Sequence, residues 1–159
     1  MEINLVKVII KKDAYKKLLK LSEEYSPQII CGFLIGKRKE NQYFIEEVRE
    51  VKTQTGKVIH FKPIFSDFNK VVREIEEEGK EITGEFHTHP DGNIKPTGRD
   101  RVIMKRLKFG FWIIASKTQI LPLLFKQKSS KQKSENSLLK SFKIFIGSCE
   151  NASRNSIIK

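Results

Sequence analysis

The sequence predicts an α/β domain in which a central mixed β-sheet is flanked by helices. Apolar runs with strand character alternate with amphipathic helical stretches over the first 125 residues, in the order βαββ(β)αβαββ. Residues 29–35 form a continuous apolar run closed by Gly36, which is typical of a strand buried on both faces. A length of 159 residues suits one domain with a sizeable core and is too short for two ordinary ones.

Hydrophobic periodicity gives the elements in order. Alternating or continuous apolar runs predict strands at residues 4–10, 29–35, 43–51, 58–61, 82–89, 111–115 and 120–125. Apolar spacings near 3.6 predict three helices, which begin at Asp13, at Ser66 or Asp67, and at Thr97. The second helix is expected to end at Gly79 after a cluster of glutamates that includes Glu78. Acids at a helix C-terminus oppose the macrodipole, so we expect these glutamates to be solvated.

Two histidines lie two positions apart at the end of the 82–89 strand, and an aspartate follows them. Alternate side chains of a strand point to one face, so the imidazoles of His87 and His89 can reach the same point. Asp100 falls in the first turn of the third helix. Two imidazoles, one carboxylate and an open fourth position form the ligand set of a catalytic zinc site. The alternative is a surface histidine pair followed by a Thr97-x-x-Asp100 helix cap, and the full spacing favours the metal site.

This run resembles a known motif. H-T-H-P at residues 87–90, followed after six residues by T-G-R-D at 97–100, resembles the JAMM motif of MPN-type zinc metallopeptidases. The resemblance covers about residues 3–125 and includes a second signature, C-G-F-L-I-G at 31–36. It implies a cytidine-deaminase-like three-layer fold, a zinc ion held by His87, His89 and Asp100, and a hydroxyl at Thr97 that stabilises the oxyanion. The family usually has serine at that last position. The cytidine deaminases themselves are disfavoured, because their His-x-Glu and Pro-Cys-x-x-Cys signatures are absent.

One position departs from the family pattern. The family carries its general-base glutamate three residues before the glycine that corresponds to Gly32, and Ile29 stands there in this chain. An isoleucine side chain cannot accept a proton. Gln28 is adjacent, but an amide is not a base, and Glu23 and Glu24 would need rearrangement to reach the metal. The sequence therefore contains the metal ligands of the family and lacks its base.

The resemblance implies two competing functions. The first is a zinc-dependent metallopeptidase or isopeptidase that hydrolyses bonds at the C-terminal tails of ubiquitin-fold or sulfur-carrier proteins, with activity impaired by the loss of the base. The second is a catalytically inactive zinc-binding module that binds the same protein partners. Replacement of Ile29 by glutamate separates them, since only an enzyme scaffold would gain activity.

Composition limits the partners and the compartment. The net charge is +12, and half of that excess lies in residues 126–159, where eight basic residues accompany two acidic ones. A lysine-rich tail more often increases solubility than binds a specific nucleic-acid sequence, so nucleic-acid binding is not expected as the main function. Cys31 and Cys149 are too few for a disulfide framework. No signal peptide and no apolar run of membrane-spanning length is evident, so we expect a cytoplasmic protein without a membrane partner.

The chain is expected to divide near residue 126. Residues 1–126 form the MPN-type domain, and residues 127–159 form a basic, low-complexity linker and C-terminal segment. Apolar periodicity returns at residues 137–146, which predicts a last helical turn or a strand that docks back. We nevertheless expect the segment after Lys126 to be dispensable for the core.

Overall fold

The structure, a computed structural model, describes residues 5–53, 64–106, 110–124 and 142–147. The described strands are β1 (Val6–Ile10), β2 (Cys31–Lys39), β3 (Gln42–Val51), β4 (Ile82–Thr88), β5 (Phe111–Ala115), β6 (Ile120–Leu124) and β7 (Phe142–Ile146). The described helices are α1 (Lys12–Glu24), α2 (Phe65–Glu77) and α3 (Gly98–Arg106). The strand predicted at residues 58–61 lies outside the described residues. None of the described helices is long and apolar enough to cross a membrane.

The strands form one mixed sheet, as predicted. Their order across the sheet is β6-β5-β4-β2-β3-β1-β7. β1 runs parallel to β3 and β7, and β4 runs parallel to β5, whereas the remaining neighbours are antiparallel. β4, which carries the histidine motif, therefore lies inside the sheet with β2 on one side and β5 on the other.

The helices cover both faces of this sheet and produce three layers. α1 packs through Leu18 into one apolar cluster, together with inward residues of β1, β2 and β3. α2 and α3 pack through Ile75 and Met104 into a second cluster, which also contains Trp112. Trp112 is 1% exposed and anchors this second cluster. Each large apolar side chain buried in this way contributes about 1.5–3 kcal/mol to folding.

Gly32 allows the three central strands to approach closely. A Cβ atom at this position would collide with the carbonyl oxygen of Arg49 on β3 and would lie 2.7 Å from the ring of Phe86 on β4. Glycine at this position therefore lets the β3 backbone and the Phe86 ring lie close to β2. β2 pairs with β4 in the register that places Cys31 opposite His87.

The end of α2 is fixed by an ion-pair network. The Arg49 guanidinium donates hydrogen bonds of 2.9 Å to both carboxylate oxygens of Glu78, and Lys80 contacts Glu78 at 2.8 Å and Glu47 at 2.7 Å. Hydrogen bonding from Arg49 lowers the pKa of Glu78 to about 2. Glu78 is exposed, as expected, and is in addition paired with two cations. Cations from β3 and from the turn after α2 compensate the unfavourable position of this acid at the helix C-terminus.

A strand is present beyond the predicted domain boundary. β7 pairs in parallel with β1, with Val6 opposite Phe142 and Ile10 opposite Ile146. Phe142 and Ile144 also pack against the cluster that contains Leu18. The boundary at residue 126 stays a prediction, and a strand, one of the two alternatives for this stretch, is observed at Phe142–Ile146. Its pairing with β1 and its contacts with the core argue against the expectation that the segment after Lys126 is dispensable.

We expect a chain that ends at Lys126 to melt about 5 °C or more below a chain that ends at Ser148. The shorter chain lacks β7, so Phe142 and Ile144 leave the core and β1 loses its partner on one side. Thermal unfolding of the two truncated chains beside the full-length chain measures the difference. Equal melting temperatures would instead support a domain that is complete at residue 126.

Candidate metal centre

Pairing on both sides of β4 fixes the two histidines. His87 lies opposite Cys31 on β2 and Ile114 on β5, and its ring packs edge-on against Trp112 with centroids 5.7 Å apart. His89 follows the end of the strand, where its backbone N–H donates a 2.7 Å hydrogen bond to the carbonyl of Ala115. Because of this bond, the strand conformation continues for one residue beyond β4. The two imidazoles therefore lie on the same side of the sheet, as predicted.

The third predicted ligand comes from α3. His87 Nε2 and His89 Nε2 lie 3.1 Å apart, His89 Nε2 lies 3.1 Å from Asp100 Oδ2, and His87 Nε2 lies 3.5 Å from Asp100 Oδ1. Ligands bound to zinc at tetrahedral angles and ordinary bond lengths lie about 3.3 Å from one another. The three donor groups therefore fit a metal ion without rearrangement, and together they form a buried group that can hold one.

A backbone contact selects the tautomer of His89. Its Nδ1 lies 2.6 Å from the carbonyl oxygen of Asn93 in the loop after β4. A carbonyl oxygen can only accept a hydrogen bond, so Nδ1 carries the proton and the lone pair of Nε2 faces His87 and Asp100. A hydrogen bond of this kind orients a histidine ligand and raises its basicity.

Thr97 and Asp100 form a reciprocal cap at the start of α3. The Thr97 N–H donates to Asp100 Oδ2 at 2.7 Å, and the Asp100 N–H donates to Thr97 Oγ1 at 3.1 Å. The helix cap and the candidate metal ligand, which the sequence presented as alternatives, are thus the same carboxylate. Thr97 is exposed, and because its oxygen accepts a bond in the cap, its hydroxyl hydrogen can be donated outward.

The titration of the three groups reflects their contacts. Burial raises the pKa of Asp100, but hydrogen bonds to the two imidazoles and the Thr97 N–H outweigh it and hold that pKa well below its usual range. Burial lowers the pKa of His87. Burial also opposes the charged form of His89, yet hydrogen bonds to Asp100 and Asn93 raise its pKa. A charged carboxylate beside a neutral, buried imidazole is the state that metal binding requires.

Ile29 lies on the same side of the sheet as the histidines. The Ile30 N–H donates a 2.9 Å hydrogen bond to Thr88 Oγ1, and the Ile30 carbonyl accepts one of 2.9 Å from the Thr88 N–H. These bonds place Ile29 beside the end of β4, where His89 lies. Ile29 packs against the cluster that contains Trp112. Glu23 and Glu24 are exposed on α1, which covers the opposite face of the sheet.

A cleft opens beside the same end of the sheet. Its volume is about 910 Å³, and Gln28 and Ile30, the two neighbours of Ile29, line it together with the end of β3 and the first half of α2. Its charged lining is mixed, since Glu50, Asp67 and Glu74 accompany Lys52 and Lys70.

Glu85 is a buried acid on the same face of β4 as His87 that our sequence reasoning missed. It lies two positions before His87 and so on the same face of β4, is 2% exposed, and has no hydrogen-bond partner for Oε2 within the described part of the chain. Burial raises its pKa to about 8. The available signal was the position itself, because an acid two residues before a buried histidine in a central strand must also point inward.

Comparison with known proteins identifies the family. A model for prokaryotic homologs of the JAB domain matches residues 11–126. The chain belongs to this family. A desampylase of Pyrococcus furiosus is 28% identical over 124 residues, which cover 71% of this chain and 85% of that protein. The resemblance to JAMM/MPN-type proteins drawn from the histidine motif is thereby confirmed.

Solved structures share the JAB/MPN fold. A solution structure of a Desulfitobacterium hafniense protein aligns with a TM-score of 0.65 at 20% identity, covering 94% of this chain and 99% of that one. The crystal structure of a JAB1/MPN domain protein from Archaeoglobus fulgidus aligns with a TM-score of 0.50 at 15% identity, covering 72% and 87%. The predicted fold, a mixed sheet between helical layers, is confirmed.

We expect Glu85→Gln to flatten the pH dependence of stability. The folded-state pKa of Glu85, about 8, lies above its ordinary value of 4.5. The folded protein therefore binds this proton more tightly than the unfolded chain does. As the pH rises from 4.5 to about 8, the free energy of unfolding decreases by at most about 1.4 kcal/mol per pH unit. Urea unfolding of chelator-treated protein across this range should show the fall in the parent chain and a weaker one in the variant. The same slope in both would contradict a protonated, buried Glu85.

Proposed function

We propose that this chain is a zinc-dependent isopeptidase-type hydrolase that acts at the C-terminal tails of ubiquitin-fold or sulfur-carrier proteins. The observation that carries the proposal is the convergence of His87, His89 and Asp100 in a chain of the JAB family. The similarity to a protein named desampylase supports a ubiquitin-like substrate.

Zinc is the metal that this donor set favours. Two imidazole nitrogens and one carboxylate oxygen, with no thiolate among them, are typical of catalytic zinc sites that keep a position for substrate. When bound, zinc would supply Lewis acidity toward the carbonyl of the scissile bond and would lower the pKa of water. His87, His89 and Asp100 would hold it, and the Asn93 carbonyl and Thr97 N–H would orient two of those ligands.

Thr97 has the properties of an oxyanion donor. Its side chain is exposed at the start of α3, and its hydroxyl hydrogen is not needed by the cap. A hydroxyl fixed in this way can donate to the charge that develops on the carbonyl oxygen in the transition state. The N-terminus of α3 adds a favourable partial positive charge at the same position.

A second function is favoured by the residue at position 29. Ile29 offers no proton acceptor, and Glu23 and Glu24 belong to the helix on the other face of the sheet. Absence of a general base costs about 10²–10⁴-fold in rate. The alternative is therefore a module that binds zinc and a protein tail but does not cut it.

We expect protein purified without chelator to contain about one zinc ion per chain. His87→Ala and Asp100→Ala should each remove most of it, because two remaining ligands hold zinc poorly. Asp91→Asn is the matched control, because it removes an exposed carboxylate from the loop between β4 and α3 and should keep the metal. Elemental analysis measures all four proteins, and undiminished zinc in both ligand variants would refute the ligand assignment.

We expect Ile29→Glu to raise the rate of tail cleavage by about 10²–10⁴-fold. A carboxylate beside the metal could take a proton from the attacking water, and the charge of the metal would keep it ionised. Mass spectrometry of a C-terminally extended ubiquitin-fold protein, incubated with each form, measures the rates.

Ile29→Gln is the control for this gain, because the amide has a similar shape and is not a base. An equal gain with glutamine would mean that polarity at position 29, and not a base, limits the rate. Zinc-loaded chains that bind the substrate but never cut it, even with Glu at position 29, would favour the binding-module function.

A further inference from the structure

Helix α3 has two faces with different roles. Asp100 and Met104, four positions apart, are buried and point toward the metal centre and the core. Arg99, Val102 and Lys105, three positions apart, are exposed on the outer face. Residues three positions apart form an oblique row on a helix, so these side chains cover a band of the outer face about 9 Å long, which begins one residue before Asp100.

The surface around this row is strongly basic. Residues 90–105, all within the described part of the chain, carry exposed Lys95 in the loop and half-buried Arg101 in addition to Arg99 and Lys105. The exposed carboxylate in this stretch is Asp91, whose Oδ1 accepts a 3.1 Å hydrogen bond from the Asn93 N–H. We call Lys95, Arg99, Val102 and Lys105 the basic stripe.

We propose that the basic stripe docks an acidic face of the globular body of the protein whose tail reaches the metal centre. This inference rests on the proposed function and adds the charge of the substrate and the place where its body lies. The distance fits, because the path from the outer face of α3 to Asp100 is about one helix diameter, 10 Å, and three or four extended residues span it. Thr97, at the start of the same helix, is hydrogen-bonded to Asp100.

The composition of the stripe favours a protein over a nucleic acid. Val102 is 49% exposed and stands between Arg99 and Lys105, which gives an apolar centre with a charged rim. Single-stranded nucleic acids bind surfaces where aromatic side chains stack on bases. Residues 90–105 contain no aromatic side chain. An acidic protein face with a small apolar centre complements the stripe in both charge and polarity.

The test measures binding of a free, mature ubiquitin-fold protein with an acidic surface by fluorescence anisotropy. The stripe variant is Lys95→Glu with Arg99→Glu, and glutamate at the second position should be tolerated because an acid is favourable in the first turn of a helix. The matched control is Lys16→Glu with Lys17→Glu. It makes the same change in net charge on α1, across the sheet. Further probes are the same ubiquitin-fold protein with its surface carboxylates converted to amides, and a short duplex DNA.

We expect the stripe variant to bind the acidic protein at least about tenfold more weakly, and the control variant to stay within about twofold of the parent chain. Binding by the parent should weaken with added salt and with the amide-converted probe. Equal losses in the two variants, no binding of the acidic protein by the parent, or tighter binding of DNA that the stripe variant loses would each overturn the proposal.

Failure of this proposal can be told apart from failure of the proposed function. Stripe-dependent binding without cleavage by any zinc-loaded chain, the Ile29→Glu chain included, would keep the docking surface and remove the hydrolase. Cleavage with the same KM in the parent, the stripe variant and the control would keep the hydrolase and remove the docking surface.

Discussion

The carboxylate of Asp100 connects the two halves of the candidate site. One oxygen, Oδ2, accepts the Thr97 N–H and faces His89, while Oδ1 faces His87. The start of α3 and the end of β4 therefore converge on the same two atoms. Because the cap holds the carboxylate before any ion arrives, a metal would meet a prearranged ligand, and little conformational entropy would be lost on binding. The helix cap and the contacts of both imidazoles meet in this one group.

Apolar side chains surround these candidate ligands, and this environment determines whether a nearby carboxylic acid is ionised. Trp112 and Met104 are almost completely buried, and Ile29 packs beside them. Glu85 shows the effect of such surroundings, because burial raises its pKa to about 8. A carboxylic acid in this layer keeps its proton near neutral pH unless a cation stabilises the charge. An isoleucine at position 29 avoids that cost.

The sequence predicted which three side chains come together at the candidate metal centre, because they are close together along the chain. His87 and His89 share a strand, Asp100 follows in the next helix turn, and local periodicity is enough to place all three on one side. The ion pair between Arg49 and Glu78 was not predictable in this way, since it joins β3 to the end of α2 through tertiary packing. The protonated state of Glu85 depends on the depth of burial, which a strand pattern does not measure. The identity of the family followed from the spacing of the motif.

The position of β1 has a consequence for how the domain folds. This strand is paired on one side by β3 and on the other by β7, and Val6 lies opposite Phe142. Its hydrogen bonds therefore join residues that are far apart in sequence, which raises the contact order and slows folding. During synthesis the edge of β1 that β7 later covers stays unpaired until residue 142 has left the ribosome. An unpaired, apolar strand edge is a template for pairing with other chains, so in this interval the nascent protein is open to aggregation.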